Sequence, residues 1–304
     1  GDVALVPITA SNPAVPAVAL SAPRQKIWFA QDEEFRIPKG AIYINFRSPE
    51  VGRGPEQTAA AALYTAVLKD EVNEFTYPAL LAGLNFSLYR HAQGISLRLS
   101  GYNDKQLVLL EHLLQVIADP ALDPQRFDNI RKDIIRGLEN HVAKRPSSQV
   151  IDDLREAVLY GQWGEQALID ALQAMSLDDL KGFAARFWAG ATAEAMIYGN
   201  YSPDTTPQVA RLLSGQLPAT EVPELPALQV LRLAPGEAIQ YPVNVLHNDS
   251  VVAWYLQGAG NSWADRAATA MTAQVMKSGF FDQLRTEQQL GYLLERIEQA
   301  YLLY

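Results

Sequence analysis

The sequence predicts an α+β chain of two homologous domains, each with helices packed on one face of a mostly antiparallel sheet, the second domain incomplete. Three observations carry this. Apolar residues alternate with period two at Ile42, Ile44 and Phe46 and again at Ile95, Leu97 and Leu99. Between these strands and a closing strand near residue 195 lie stretches with helical apolar spacing and recognisable N-caps. The order β-α-β-β-α-α-α-α-β does not alternate strictly, which favours helices gathered on one face over a doubly wound sheet.

Residues 1–40 carry Pro7, Pro13, Pro16, Pro23 and Pro38 and read as an extended lead-in with little helix, pinned by Trp28 and Phe29. In the first strand Ile42, Ile44 and Phe46 face inward, and Tyr43, Asn45 and Arg47 outward. After breakers from Ser48 to Pro55, Glu56 to Glu74 is Ala- and Leu-rich with Leu63, Val67 and Val72 on one side, a helix packed on the sheet. Residues 77–84 continue helically, with Pro78 in a first-turn position. Residues 86–102 form a hairpin with Gly94 near its turn. Asp104 caps a helix running to about Ala118. Asp123-Pro124 opens a long one carrying Phe127, Ile130, Ile134, Leu138 and Val142. Ser147 or Ser148 caps a third, with Val150, Leu154 and Val158. Ser176 to Asp179 resembles a capping box with Asp in place of Glu or Gln, and Leu180, Phe183 and Phe187 follow as a stripe. Ala193 to Gly199 closes the domain.

Pro203, Pro207, Pro218, Pro223, Pro226, Pro235 and Pro242 then mark a stiff connector containing one short helix at Val209–Leu213. Past it, Val251–Leu256 reads as a buried strand and Ser262–Met276 as a helix. The expected division is 1–40 lead-in, 41–200 first domain, 201–236 linker and 237–304 beginning of the second. A displacement of 206 residues pairs Phe75 with Phe281, Leu84 with Leu290 and Phe86 with Tyr292, and sets Ala61 and Ala62 over Ala267 and Ala268. That suggests two copies of one domain, with chance agreement at apolar positions as the competing explanation. In this pairing Arg285 falls opposite Ala79.

The chain has 304 residues, 48% of them hydrophobic, enough for two domains with cores of their own. A net charge of −9 with no basic stripe argues against nucleic-acid binding. Without cysteine, disulfides and thiolate metal sites are excluded. No apolar run reaches the length of a membrane-spanning helix. Gly1-Asp2-Val3 lacks an initiator Met and a signal-peptide core, and the chain reads as a piece of a longer one.

Chemistry-bearing motifs are sparse. The four histidines, His91, His112, His141 and His247, include no pair three or four residues apart, so no local metal motif exists. There is no Gly-x-Ser-x-Gly elbow and no phosphate loop, since Gly258-Ala259-Gly260 runs into Asn-Ser-Trp. Asp152-Asp153 and Asp178-Asp179 lie at helix N-termini, where the helix dipole accounts for them. What stands out is Gly279 to Tyr292: a short helix with Phe281, Leu284 and Gln288 on one side and Arg285 on another face, ended by Gly291 so that Tyr292 leaves in a new direction. It offers a cation and a phenol near one point. The bland alternative is Arg285 paired with Asp282 and Tyr292 packed at a strand start.

The run Leu284-Arg285-Thr286-Glu287-Gln288-Gln289-Leu290-Gly291-Tyr292 resembles the signature of the pitrilysin and insulin-degrading enzyme family of inverted-motif zinc endopeptidases. Gly101 to Gln106, Lys69 to Glu74 with Ala82-Gly83-Leu84, Tyr198-Gly199-Asn200 and the lead-in around Trp28-Phe29 are similar to further family segments in the same order. The resemblance implies four homologous α+β domains in two halves joined as a clamshell, with the zinc motif H-x-x-E-H in the first. This chain corresponds to the third domain and the start of the fourth. Helix 56–74 then stands where the zinc helix stands in the first domain, and it holds Ala, Leu and Val in place of ligands. Zinc would belong to the N-terminal half, which is absent here, and this piece alone would be inactive. The resemblance also implies that Arg285 and Tyr292 hydrogen-bond substrate backbone carbonyls near the scissile bond, with the tyrosine helping to stabilise the oxyanion. Partners are peptide substrates and the N-terminal half, with a homodimer left open. No compartment is indicated. One departure is that Leu293, Ile297, Ala300, Tyr301 and Tyr304 have helical spacing where the family has a strand, so residues are expected to be missing between Tyr292 and Leu293. The alternative is a non-catalytic peptide-binding or partner subunit of the same family, including a pyrroloquinoline-quinone biosynthesis peptidase.

Overall fold

Alternating burial along Lys39–Arg47 makes this segment a central strand: Ile42, Ile44 and Phe46 are buried and the residues between them are not. A computed structural model describes residues 4–9, 16–140, 146–218, 220, 225, 229–244, 247–258, 260 and 262–289, without the side chain of Glu74. They form two compact units, 1–143 with 161–226 and 144–160 with 227–304.

In the first unit the strands are β1 (Ala17–Ala22), β2 (Gln25–Gln31), β3 (Lys39–Arg47), β4 (Leu84–His91), β5 (Gly94–Tyr102) and β6 (Thr192–Gly199). They make one sheet in the order β1-β2-β6-β3-β5-β4, antiparallel except for β2 beside β6. The predicted fold class holds. Its helices are α1 (Pro55–Leu81), α2 (Gln106–Ala118), α3 (Pro124–Glu139), α5 (Glu165–Ala174), α6 (Leu177–Ala189) and α7 (Thr205–Ser214). The second unit holds α4 (Pro146–Val158) and α8 (Trp263–Phe281). The core lies between the sheet and its helices. Ile42, Ile44, Leu97, Leu99 and Ile197 meet Leu63, Tyr64, Val67 and Leu68 of α1 and Phe183 and Phe187 of α6, all essentially inaccessible to solvent.

Several elements differ from expectation. The stretch read as an extended lead-in forms β1 and β2, which pair with each other and join the sheet through β6. Trp28 and Phe29 do pin it, on opposite faces: Phe29 packs on the core, while the Trp28 indole N–H donates to Glu194 at 2.9 Å. Helix α1 is unbroken to Leu81, so Pro78 lies inside it rather than in a first turn, and Ala82 N–H returns to the Pro78 and Ala79 carbonyls. Asp104 does not cap α2. The start of that helix is held by the buried side chain of Gln106, which donates to the carbonyls of Gly40 and Gly101 at 2.8 and 2.9 Å and accepts from Tyr201 Oη at 2.6 Å. Asp123 caps α3 as expected. Helix α4 begins at Pro146, which puts both serines within its first turn. Helix α5 has Gly164 at its N-cap and no side-chain cap, so it carries no start signal. The capping box of α6 closes through Asp179, whose carboxylate reaches the Ser176 N–H at 2.9 Å.

In the second unit Leu231 N–H donates to the Val158 carbonyl and Tyr160 N–H to that of Gln229, tying α4 to the last part of the connector. Val251–Leu256 is not a strand: Val252, Trp254 and Leu256 are exposed, and no described strand of this unit offers a ladder to pair with. Helix α8 begins at the capping box Ser262–Asp265. The N-caps Gly54 and Ser262 stand 208 residues apart, two more than the displacement read from the sequence. At 208, Leu63, Val67, Leu68 and Val72 of α1 fall on Met271, Val275, Met276 and Phe280, and Gly83 falls on Gly291. The apolar faces thus coincide, although buried in α1 and exposed in α8. Arg285 falls opposite Tyr77, not Ala79.

The Tyr64 hydroxyl is buried between α1, α2 and α6, donating to the Ile117 carbonyl at 3.2 Å and accepting from Trp188 Nε1 at 2.9 Å; burial pushes it up to about 12. Tyr64→Phe strands both partners and is expected to lower unfolding stability by about 1–3 kcal/mol. Urea denaturation checks this, and a change below about 0.5 kcal/mol would contradict the packing described.

Candidate functional site

Helix α8 gives way at Asp282–Glu287 to a π-helical turn, with Gln288 N–H reaching back to the Gln283 carbonyl at 3.0 Å. Phe281 and Arg285 are four positions apart, a spacing that brings side chains to the same side. The Arg285 guanidinium accordingly stacks 5.1 Å from the Phe281 ring centroid, where the sequence suggested a different face. Both are exposed. The chain enters the left-handed region at Gln289 (φ 50°). Gly291 and Tyr292 lie outside the described residues, as do the approach of Tyr292 to Arg285 and the junction with Leu293.

The first unit presents a second feature on the sheet face turned away from its core. Strand register aligns Lys26, Glu194, Asn45, Ser96 and Tyr89 in one row across five strands, and Trp28, Met196, Tyr43 and Arg98 in the next. Asn45 and Ser96 are small, hydrogen-bonded to each other, and form a floor. Around it stand Trp28, Tyr43, Tyr89, His91 and Glu194, leaving a concavity of about 480 Å³. Glu194 is held by Arg47 and by the Trp28 indole. Lys26 lies 4.5 Å over the Trp28 ring and Arg98 4.9 Å over that of Tyr43. His91 Nδ1 accepts from Gln93 N–H at 3.3 Å, while its Nε2 is buried and has no hydrogen-bond partner. Burial, then the charges of Arg47 and Arg90, depress the imidazole to about 4, so it is neutral at pH 7. At the other end of the face, burial together with Asp32 and Glu34 raises the Tyr198 phenol. The outward side of β3 was legible as Tyr43, Asn45 and Arg47; its neighbours Ser96, Glu194 and Tyr89 required the register.

Among the described residues no group of three His, Asp or Glu could hold a metal ion. His112 packs edge-on against Phe75, 4.1 Å between centroids, and the α1 face under the sheet is Ala59, Ala60, Leu63, Val67 and Leu68. These residues do not fit zinc. No described helix is long and apolar enough to cross a membrane.

The fold is that of solved pitrilysin-type peptidase domains. It superposes on pitrilysin with a TM-score of 0.64 at 15% identity, covering 70% of this chain and 23% of that one. On the peptidase M16 inactive domain from Pseudomonas fluorescens the TM-score is 0.57 at 15% identity, covering 72% and 54%. Residues 2–171 match the family model described as the middle or third domain of peptidase M16, and residues 174–295 that of the peptidase M16 inactive domain. The chain belongs to the peptidase M16 family, that of pitrilysin and insulin-degrading enzyme. Its relatives include the insulin-degrading enzymes of Drosophila melanogaster, 30% identical over 301 residues (96% of this chain, 30% of that protein), and Homo sapiens, 29% over 298 (95% and 29%). The A-factor-processing enzyme of Saccharomyces cerevisiae is 25% identical over 286 residues (92% and 28%). The chain thus spans less than a third of the curated relatives it matches.

His91 supplies a check on the concavity. Its folded-state pKa lies below the unfolded value of about 6.5, so its contribution to stability is complete above pH 6.5 and is lost as pH falls through 4. An NMR titration should place the His91 midpoint near 4, and His91→Asn should flatten the stability profile between these pH values. A midpoint near 6.5 would contradict the burial.

Proposed function

We propose that this chain is the C-terminal, non-zinc-binding half of a zinc-dependent metalloendopeptidase that encloses and hydrolyses peptides. The observation that supports this most is the family match in order, third domain then inactive domain, with an apolar α1 face where the first domain of such an enzyme would carry its zinc ligands. In this reading residues 41–200 are the third domain, 201–236 the linker and 237–304 the beginning of the fourth. The N-terminal half supplies the zinc site, and this half closes the chamber. Arg285 and Tyr292 donate hydrogen bonds to backbone carbonyls of the peptide near the scissile bond, and the Tyr292 phenol also supports the developing oxyanion. Arg285 is exposed on the π-helical turn that ends α8, and its planar guanidinium suits hydrogen bonds to carbonyl oxygens. Peptides as substrates agree with the relatives, which act on insulin and process a-factor by name.

The apolar α1 face fits a peptide-binding partner subunit equally well, and an upstream H-x-x-E-H separates the two readings. In the full-length protein Tyr292→Phe and Arg285→Ala are each expected to lower peptide turnover, on the order of 10²–10³ in kcat where an oxyanion donor is lost, with unchanged thermal unfolding. Turnover equal to that of the unmodified protein would defeat the assigned roles.

A further inference from the structure

The open sheet face of the first unit has features that sheet stability does not account for. A solvent-facing sheet surface is ordinarily polar, yet Trp28, Tyr43 and Tyr89 stand together here, Tyr43 and Tyr89 being 38% and 47% exposed. Cross-strand pairing explains Arg47 with Glu194 and Arg98 with Tyr43. It does not explain why the floor between the rings is left at Asn45 and Ser96, or why His91 keeps a buried N–H with no acceptor. A buried donor without a partner calls for one. The concavity falls within the ~300–1,000 Å³ range of small-ligand sites.

We propose that this concavity is a peptide subsite that takes one aromatic side chain on the Asn45–Ser96 floor, with a neighbouring carboxylate of the same peptide set against His91 and Arg47. The rings of Trp28, Tyr43 and Tyr89 supply edge and face contacts to a guest ring. The carboxylate is chosen by charge. In the two central rows and beside them stand Lys26, Arg47 and Arg98 against the single carboxylate Glu194, which Arg47 already neutralises, in a chain of net charge −9. Asp32 and Glu34 lie by Tyr198 at the opposite end, so the face is polar along its length and orients an acidic group toward His91. With Nδ1 occupied by Gln93 N–H, the neutral ring carries its proton on Nε2; that atom is buried, so the ring turns toward the concavity to donate it to the carboxylate. The inference rests on the reading that this family member handles peptides, and it adds a preference carried by residues other than Arg285 and Tyr292.

The test is binding, not cleavage, on the full chain. Three probe peptides are compared by calorimetry and by NMR of the His91 ring: Ac-Ala-Phe-Asp-Ala-NH2, its Phe-Lys counterpart and its Ala-Asp counterpart. The first should bind about tenfold more tightly than either control, since one apolar contact in a pocket is worth about 10–200-fold, and it alone should move the His91 titration midpoint upward. Tyr89→Ala, on the exposed edge strand, should remove about fivefold or more of that preference; Ser96→Leu, filling the floor, should abolish it if the variant folds. Equal affinity for the three peptides, a preference untouched by Tyr89→Ala, or a dimer in sedimentation that buries this face would overturn the proposal. Those outcomes leave the roles of Arg285 and Tyr292 standing, and unchanged turnover in the Arg285 and Tyr292 variants leaves this inference standing.

Discussion

Helix α1 lying along the inner face of the six-stranded sheet is the contact on which the first unit depends. Over most of its 27 residues every position turned toward the strands must be apolar or small, because an unpaired charge there would cost several kcal/mol. Ala59, Ala60, Leu63, Tyr64, Val67, Leu68 and Val72 satisfy that demand, and Tyr64 hands its one polar group to Ile117 and Trp188. The same demand bears on chemistry. A helix that gives this face to the core has no room on it for imidazoles and carboxylates converging on a metal, so a peptidase containing this domain needs its metal elsewhere.

With one face of the sheet committed to packing, the other is free to vary. It carries rows of alternating aromatic, cationic and small polar side chains tied together across strands, with Glu194 as the hub between Arg47 and Trp28. The strands set these groups at fixed spacing, so the surface is organised without a loop having to order it. In the second unit the balance is reversed. Helix α8 repeats the α1 pattern at Met271, Val275, Met276 and Phe280, but these side chains are exposed among the described residues. Its end passes through a π-helical turn that stacks Arg285 on Phe281.

Much of this was legible in the sequence. Alternation at Ile42, Ile44 and Phe46 places β3, Asp123-Pro124 and Ser176–Asp179 place two helix starts, and the segment around Arg285 carries the family. What escapes is non-local. Strands β1 and β2 lack a clear alternation, and they are strands because β6, more than 160 residues later, pairs with β2. Gln106 replaces Asp104 in fixing α2 because its partners, Gly40 and Tyr201, come from distant strands and loops. Helix α5 has no cap to read, and the apolar content of Val251–Leu256 is not enough for a strand without a neighbour. The displacement of 206 residues read from the sequence differs by two from the spacing of the N-caps Gly54 and Ser262, because apolar matches near Phe281 outweighed the helix starts. Of the candidate site, Arg285 could be found by its motif, whereas the floor formed by Asn45 and Ser96 exists only once β3 and β5 are paired.

The most direct measurement is complementation. The chain is assayed for bound zinc and peptide hydrolysis alone, then mixed with the proposed zinc-binding half. The expected result is no stoichiometric zinc and no hydrolysis by the chain alone, and zinc-dependent hydrolysis when both halves are present. Zinc-dependent cleavage by the chain alone, or cleavage by the other half that is indifferent to this chain, would contradict it.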